Sequence, residues 1–278
     1  MVATPIGNLE DITLRALKIL ALVDTIAAED TRITARLLEH HHVHGNLRAV
    51  HEHNEQRSAD WIVETLAQGK SVALVTDAGT PAISDPGATV VARTRASGFD
   101  VVPIPGPSAA IAALSAAGIA DPPFLFAGFL PAKAAARRKA LAAFGAPPRT
   151  LVLYEAPHRI VECVEDIAEV LGAGRTIVIA RELTKIFEQI HRCPAGEASA
   201  FLQADPNRRR GEFVLIVPAP ESAKEAGKTD WERVLAVLLD ELPLAHAVKL
   251  ACRLTGVKRK AAYERALQLA QRVKPRRR

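Results

Sequence analysis

The sequence has little cysteine and no long uninterrupted apolar segment, and these shortages exclude two classes of protein. Cys163, Cys193 and Cys252 lie far apart without a CxxC pair, which argues against a disulfide scaffold and favours a reducing cytoplasm. Residues 101–120 carry no charge, but prolines interrupt them, so we predict a strand, a turn and a buried helix instead of a membrane span. The N-terminus lacks a basic segment with a cleavage site, so no secretion is predicted.

Two nucleotide-binding fingerprints are also missing. The chain contains neither GxGxxG nor GxxxxGK[ST], so nicotinamide-binding and P-loop functions lose their main support. The histidine-rich stretch from His40 to His53 has no HExxH or other ligand spacing. We therefore predict no metal site.

Charge is distributed unevenly along the 278 residues. Residues 221–278 carry 14 Lys and Arg against 7 Asp and Glu, whereas residues 1–220 carry 22 against 24. A surplus of basic side chains suits a polyanionic partner, because they displace counterions from a phosphate backbone. A solvated basic helix face explains the same surplus, and charge alone does not separate the two interpretations.

Alternating β-branched runs, Gly/Pro turns and Ala/Leu-rich stretches predict an α/β protein with mostly parallel sheets. Polar clusters follow several of the strands, and ligands of open α/β sheets gather at the carboxyl ends of strands, so we expect a cleft between two domains. The predicted strands are Ser71–Val75, Val101–Ile104, Leu151–Tyr154, Thr176–Ala180 and Phe213–Val217, with a helix over Ala109–Ala117.

The chain is predicted to divide into residues 1–120, 121–220 and 228–278, the last being a small basic helical domain. Residues 218–227 have the composition of a linker. Beyond them we predict helices over Trp231–Leu242, Leu244–Thr255 and Lys258–Val273. The turn at Gly256 resembles that of a helix-turn-helix, although helical hairpins that only pack are commoner.

Two loops rich in Gly and Pro, Asp77–Pro81 and Pro105–Ser108, end successive predicted strands. Such loops present backbone N–H and C=O groups, which suit the polar edges of an adenosine and a methionine. Either loop alone is explained by an ordinary turn, but together they favour a binding site. Asp30 or Thr31 is in turn predicted to cap the helix that carries Ala35–Leu38.

Eight sequence blocks resemble the ribosomal RNA small subunit methyltransferase I family. They are VATPIGNL (2–9), EDTR (29–32), VTDAGTPAISDPG (75–87), IPGPSAAIA (104–112), GFLPAK (128–133), YEAPHR (154–159), RELTK (181–185) and GEFV (211–214). The resemblance implies the two-domain tetrapyrrole-methylase fold of class III S-adenosylmethionine methyltransferases, with a small helical C-terminal domain. It also implies a homodimer that methylates the 2′-hydroxyl of a cytidine in the decoding region of small-subunit rRNA. In this chain Met1 leaves almost no room for the first strand.

The resemblance also implies S-adenosylmethionine contacts at Pro5, Asp77, Gly79, Pro81, Ser84, Pro107, Ser108, Ala109, Tyr154 and Ala156. Methyl transfer to a hydroxyl needs alignment and a proton acceptor, for which Glu155, His158 and Asp30 are the candidates. Arginine pairs well with phosphate. The predicted RNA-binding residues are Arg32, Lys133, Arg137, Arg138, Arg159, Arg181, Lys185, Lys258, Arg259 and Lys260.

Two other functions remain open at this point. The same fold could methylate a corrinoid or another tetrapyrrole, although the basic tail argues against that substrate. A non-catalytic RNA-binding assembly factor, in which the tail carries the recognition, is the alternative from another class. Binding of labelled S-adenosylmethionine separates the enzymes from the binding protein.

Overall fold

The computed structural model describes residues 1–50, 55–119, 123–145, 149–220 and 231–272. Its internal contacts divide the chain into one unit from Met1 to Pro218 and a second from Ala219 to Arg278. Within the described residues, no helix is long and apolar enough to cross a membrane.

The first sheet of the larger unit has three parallel strands in the order β2-β1-β3. Parallel neighbours need crossover connections, and helices supply them here. In the central strand Ala28 lies opposite both Ala49 and Val75, so the segments that follow β1 and β3 emerge side by side. The elements are α1 (Leu14–Leu22), β1 (Thr25–Ala28), α2 (Thr31–His40), β2 (Leu47–Ala49), α3 (Glu55–Ala67), β3 (Val72–Val75), α4 (Ala88–Ala96) and α5 (Ala109–Ala116).

The predicted strand over Val101–Ile104 is wrong. Only Ile104 pairs, in an isolated parallel bridge with Val2, and Thr4 forms a similar antiparallel bridge with Gly79. Pro103 and Pro105 lack the backbone N–H that a strand ladder requires, so pairing cannot extend beyond the residue between them. The N-terminal segment thus crosses the edge of the first sheet, where the Val2 amide donates to the carbonyl of Leu74 at 2.9 Å.

The second sheet has five strands in the order β4-β5-β8-β6-β7. The predicted strands over 151–154, 176–180 and 213–217 are confirmed, but β4/β5 is the only parallel pair. The expectation of a mostly parallel arrangement is therefore wrong for this sheet. The elements are β4 (Phe124–Phe129), α6 (Ala134–Phe144), β5 (Thr150–Glu155), α7 (Ile160–Leu171), β6 (Thr176–Arg181), β7 (Gln189–Pro194), α8 (Ala195–Gln203) and β8 (Phe213–Val217).

The direction of β8 brings three polar segments to one edge of the second sheet. Phe213, at the start of β8, lies opposite Glu155 at the end of β5 and opposite Arg181 at the end of β6. The residues after β5, after β6 and before β8 therefore meet, as the sequence blocks suggested, although one of the three strands runs in the opposite direction.

The second sheet is buried on both faces. Side chains alternate along a strand, so Leu151 and Leu153 join the core that includes α7 and α8, while Val152 joins a different core. That second core contains Ala110 and Ala113 of α5. The helix after the Pro105–Ser108 loop thus packs on the second sheet and brings the loop to the polar edge.

The smaller unit is a bundle of α9 (Trp231–Glu241), α10 (Leu244–Thr255) and α11 (Arg259–Arg272). The first two predicted helices are confirmed to within a residue, and the predicted end of the third at Val273 lies outside the described residues, as does most of the predicted linker. The core of the smaller unit contains Leu235, Val248 and alanines from α10 and α11. Gly256 adopts a left-handed conformation (φ 70°) that ends α10, as a C-terminal glycine commonly does.

Candidate functional site

A cavity of about 290 Å³ opens where loops of the first sheet face the polar edge of the second. Six of the ten predicted cofactor contacts line it: Gly79, Ser84, Ser108, Ala109, Tyr154 and Ala156. The other lining residues are Ile6, Ala78, Thr80, Ile83, Asp85, Phe129, Glu155, Pro157, Leu183, Glu212, Phe213 and Val214. We call this cavity the cofactor cleft, after the predicted cofactor contacts that line it. Pro5, Asp77, Pro81 and Pro107 are not among its lining residues.

The loop after β3 is held in a strained backbone conformation. Ala82 and Ser84 have φ values of 70° and 63°, a region in which residues with side chains are uncommon. The loop is fixed at one end by reciprocal backbone bonds between Thr4 and Gly79, and Thr80 Oγ1 donates to the carbonyl of Pro107 at 3.0 Å. Strain of this kind costs about 1–3 kcal/mol per residue and concentrates at functional sites.

Asp85 is a cleft residue that the sequence interpretation did not single out. Burial, with further contributions from Glu29 and Asp77, raises the pKa of its carboxyl to about 6. The signal was present, because Asp85 lies inside the family block 75–87. An Asp before Pro-Gly is equally typical of a plain turn, so the pattern alone did not indicate a role.

Tyr154 of β5 connects the second sheet to α5 at the cleft. Its hydroxyl accepts a hydrogen bond at 3.2 Å from the backbone N–H of Ala110 in the first turn of α5. Its ring makes edge contacts with Phe126 and Phe129, at centroid distances of 4.9 and 5.7 Å. Burial raises the pKa of the phenol, so Tyr154 stays neutral, and its hydrogen bond with Ala110 links β5 to α5.

Glu155 is the only one of the three predicted proton acceptors that lines the cleft. Its side chain is buried, Oε1 accepts from the Ala156 N–H at 2.9 Å, and Oε2 has no hydrogen-bond partner among the described residues. Arg159 lies 3.2 Å from Oε1 and donates to the carbonyl of Leu130. His158 is exposed and does not line the cleft.

Asp30 caps α2, as predicted, and connects the ends of β1 and β3. Its carboxylate accepts from the Arg32 N–H at 2.8 Å, and the Arg32 guanidinium holds the pKa of Asp30 well below its usual range. The Asp30 N–H donates to Asp77 Oδ1 at 2.9 Å, and the Asp77 N–H donates to Glu29 Oε2 at 3.2 Å. Burial raises the pKa of Asp77. A carboxylate of low pKa is a weak base, so Asp30 is poorly suited to proton removal.

The loop after β6 is built around ion pairs. Lys185 Nζ lies 3.0 Å from carboxylate oxygens of both Glu182 and Glu212. Glu182 has a positive φ of 51°, and a side chain at Gly211 would collide with its carboxylate at 2.4 Å. Arg181 donates to the carbonyls of Arg210 and Phe187 at 2.7 and 3.2 Å.

The predicted RNA-binding residues fall into two groups. Arg137 is 1% exposed and is ion-paired with Asp166, so its guanidinium is not available to a phosphate. Arg138 is half exposed and paired with Asp166 and Glu169. The side chains of Lys133 and Arg32 are exposed, as are those of Lys258, Arg259 and Lys260 in the smaller unit.

Metal ligands do not cluster in the described part of the chain. Among those residues, no group of three or more His, Cys, Asp or Glu could hold a metal ion. His41 Nε2 lies 2.9 Å from the carbonyl of Leu9, while His51 and His53 lie outside the described residues.

Comparison with known proteins finds two families. The family described as Tetrapyrrole (Corrin/Porphyrin) Methylases matches residues 1–199, and the family described as RsmI C-terminal HTH domain matches residues 225–270. The chain is 52% identical over 268 residues to a Ribosomal RNA small subunit methyltransferase I of Escherichia coli O157:H7, covering 96% of this chain and 94% of the relative. A protein of the same name from Pseudomonas aeruginosa is 49% identical, with 96% of both chains covered.

Solved structures of low identity share the fold. A diphthine synthase superimposes with a TM-score of 0.61 at 14% identity, covering 78% of this chain and 88% of that one. A cobalt precorrin-4 methyltransferase superimposes with a TM-score of 0.57 at 18% identity, covering 77% and 92%. At these identities the likeness shows the fold alone.

Proposed function

This chain belongs to the tetrapyrrole methylase family and, within it, to the ribosomal RNA small subunit methyltransferase I group, and on that premise we propose its reaction. The chain transfers a methyl group from S-adenosylmethionine to small-subunit ribosomal RNA, and the acceptor is the 2′-hydroxyl of a cytidine in the decoding region. The observation that supports this best is the cofactor cleft, where backbone-rich loops of both sheets meet beside a buried carboxylate.

The residues present fit S-adenosylmethionine. When bound, this cofactor supplies an electrophilic methyl group on a sulfonium. Backbone groups of the 78–80 and 108–109 segments suit its polar edges, and Ile83 and Phe129 offer apolar surface to its adenine. The carboxyl of Asp85 offers a partner for its positive charge. No metal is needed for a displacement that depends on alignment.

Glu155 is the proton acceptor in this proposal. It lines the cleft, its carboxylate is buried against the Cys163 thiol, and we assign to it the proton of a ribose hydroxyl that enters the cleft. Arg159 and the Ala156 N–H hold the opposite oxygen, so the carboxylate is fixed in place. His158 and Asp30 are less suitable, because one lies outside the cleft and the other is committed to Arg32.

Exposed basic residues are proposed to hold the RNA. In the larger unit these are Arg32, Lys133 and the half-buried Arg181, and in the smaller unit Lys258, Arg259 and Lys260. Arg137 is no longer part of the set, and Arg32, Arg138, Arg159 and Lys185 enter it as members of ion pairs. We also propose that the enzyme is cytoplasmic and acts as a homodimer. Size-exclusion chromatography with light scattering tests the dimer.

Transfer from labelled S-adenosylmethionine tests the proposal. Purified small ribosomal subunits from cells that lack the gene should accept label as 2′-O-methylcytidine, whereas precorrins should accept none. Label on a precorrin would favour a tetrapyrrole substrate. Cofactor binding without transfer to either would favour a non-catalytic assembly factor.

A further inference from the structure

A second cavity, of about 240 Å³, adjoins the cofactor cleft. The two share Ile6, Ala78 and Glu212 as lining residues, so the segment 5–7 lies between them. The second cavity is lined by Thr4, Pro5, Ile6, Gly7, Leu9, Ile33, Thr34, Leu37, Thr76, Asp77, Ala78, Lys185 and Glu212. We call it the acceptor cavity. Pro5 and Asp77, which the family resemblance implies as cofactor contacts, line this cavity and not the cleft.

One buried hydroxyl in the acceptor cavity lacks a partner. Thr4 and Thr76 are both 2% exposed, and Thr4 Oγ1 donates to the carbonyl of Thr76 at 3.0 Å. Thr76 Oγ1, by contrast, has no hydrogen-bond partner among the described residues. An unsatisfied buried hydroxyl costs about 1–3 kcal/mol, so the fold itself gains nothing from this oxygen. A bound ligand is one partner that would satisfy it.

The other lining residues match a flat heterocycle. Leu9, Ile33 and Leu37 provide apolar surface on the side of α2. The carboxyl of Asp77 is a hydrogen-bond acceptor of the kind that reads the exocyclic amino group of cytosine. Enzymes that do chemistry on a base take it out of the stack into a pocket with apolar contacts on its faces and hydrogen bonds to its edge. We extend that arrangement to a base whose ribose is modified.

Two basic side chains lie at the acceptor cavity, each in an ion pair within the protein. Arg32 precedes Ile33, and its side chain is 86% exposed beside Asp30. Lys185 lines the cavity from the second half of the larger unit. Gly7 lets Lys185 cross the 5–7 segment, because a Cβ at Gly7 would lie 2.6 Å from the lysine Cγ.

We propose that the acceptor cavity receives the unstacked cytosine base of the target nucleotide, while the attached ribose reaches past Ile6 into the cofactor cleft. This inference rests on the proposed function. Thr76 and Asp77 bind the base edge, Ile33 and Leu37 contact its faces, and Arg32 binds a flanking phosphate.

Thr76→Val removes one oxygen while keeping the shape of the side chain. We expect kcat/KM for small subunits to fall by about fivefold to tenfold, the value of a hydrogen bond near 1 kcal/mol. The Kd for S-adenosylmethionine should stay within about twofold of wild type, and the melting temperature should not fall, because the hydroxyl has no partner in the protein. A weakened cofactor Kd would overturn the proposal, since it would assign the cavity to the cofactor.

A second pair of variants tests the cavity by placing a large side chain in it or beside it. Ile33 is 42% exposed on α2 and lines the cavity, so Ile33→Trp should reduce methylation of small subunits by about 100-fold or more without loss of cofactor binding. Ala35 is exposed on the same helix and does not line the cavity, which makes Ala35→Trp the matched control with wild-type activity.

The activity of the wild-type enzyme distinguishes failure of the proposed function from failure of the acceptor cavity. If wild type does not methylate small subunits, the proposed function fails. If wild type is active and both Thr76→Val and Ile33→Trp match its kcat/KM, the function stands and the acceptor cavity is overturned.

Discussion

The two units of this chain differ in what they bury and in the charge they carry. Residues 1–218 hold both cavities, a buried carboxylate in the cleft and strained loops, whereas the smaller unit is a helical bundle with an alanine-rich core. The surplus of positive charge lies in residues 221–278. From this contrast we expect catalysis to depend on the larger unit and part of the RNA binding to depend on the smaller one, so mutations should separate them.

The largest effect is expected in the cleft, from Glu155→Gln. Loss of the proton acceptor should lower the single-turnover methylation rate by about 10²–10⁴-fold, the usual contribution of general base catalysis. Rapid-quench measurements with saturating cofactor and small subunits give this rate. Glu162→Gln, an exposed carboxylate on α7, is the control. A Glu155→Gln rate within threefold of wild type would remove this residue from the mechanism.

The next effect is expected in the smaller unit, from Lys258→Ala, Arg259→Ala and Lys260→Ala combined. KM for small subunits should rise by about tenfold or more, while kcat and cofactor Kd stay unchanged. Each phosphate contact to a single strand contributes about 0.7 to the salt slope, so the plot of log KM against log salt should lose a slope of about 2. An unchanged slope would mean that these side chains only face solvent.

A smaller effect is expected from pH, through Asp85. Its carboxyl is protonated below a pKa of about 6 and negative above it, so binding of the positively charged cofactor should tighten as pH rises from 5 to 7. Calorimetric titration should show a Kd several-fold lower at the higher pH. Asp85→Asn should flatten this dependence. The same profile in the variant would assign it to Glu29, Asp77 or another group.

The smallest effect on methylation is expected from Arg137→Met, because this arginine supports the fold. Removing it leaves the buried carboxylate of Asp166 without its main partner, at a cost of about 3–5 kcal/mol in the free energy of unfolding. Arg138→Met, from a half-exposed position, should lower the free energy of unfolding much less. Urea unfolding measures both values. Weaker subunit binding by folded Arg137→Met would return this residue to the RNA-binding set.

The sequence predicted four of the eight described strands, β3, β5, β6 and β8, and the helices α2, α5 and α9 to α11, because their patterns are local. It did not predict β1, β2, β4 or β7. The strand Thr25–Ala28 was not separated from the preceding apolar stretch, since both have the same composition. The direction of β8 was also missed, because an apolar run carries no sign of which way it pairs with distant strands.

The lining of the cleft was predicted where its residues lie in short sequence blocks. Six cleft residues come from short blocks, but the acceptor cavity joins residues from five separate parts of the chain, which no spacing rule connects. Arg137 failed as an RNA contact because a basic run on a helix gives no indication that one of its members faces Asp166.

The central claim is methylation of a cytidine ribose in small-subunit rRNA. Mass-spectrometric mapping of ribose methylation in cells with the gene, without it, and complemented with Glu155→Gln tests it most directly. We expect one 2′-O-methylcytidine in the decoding region that disappears without the gene and is not restored by the variant. An identical map in all three strains would contradict it.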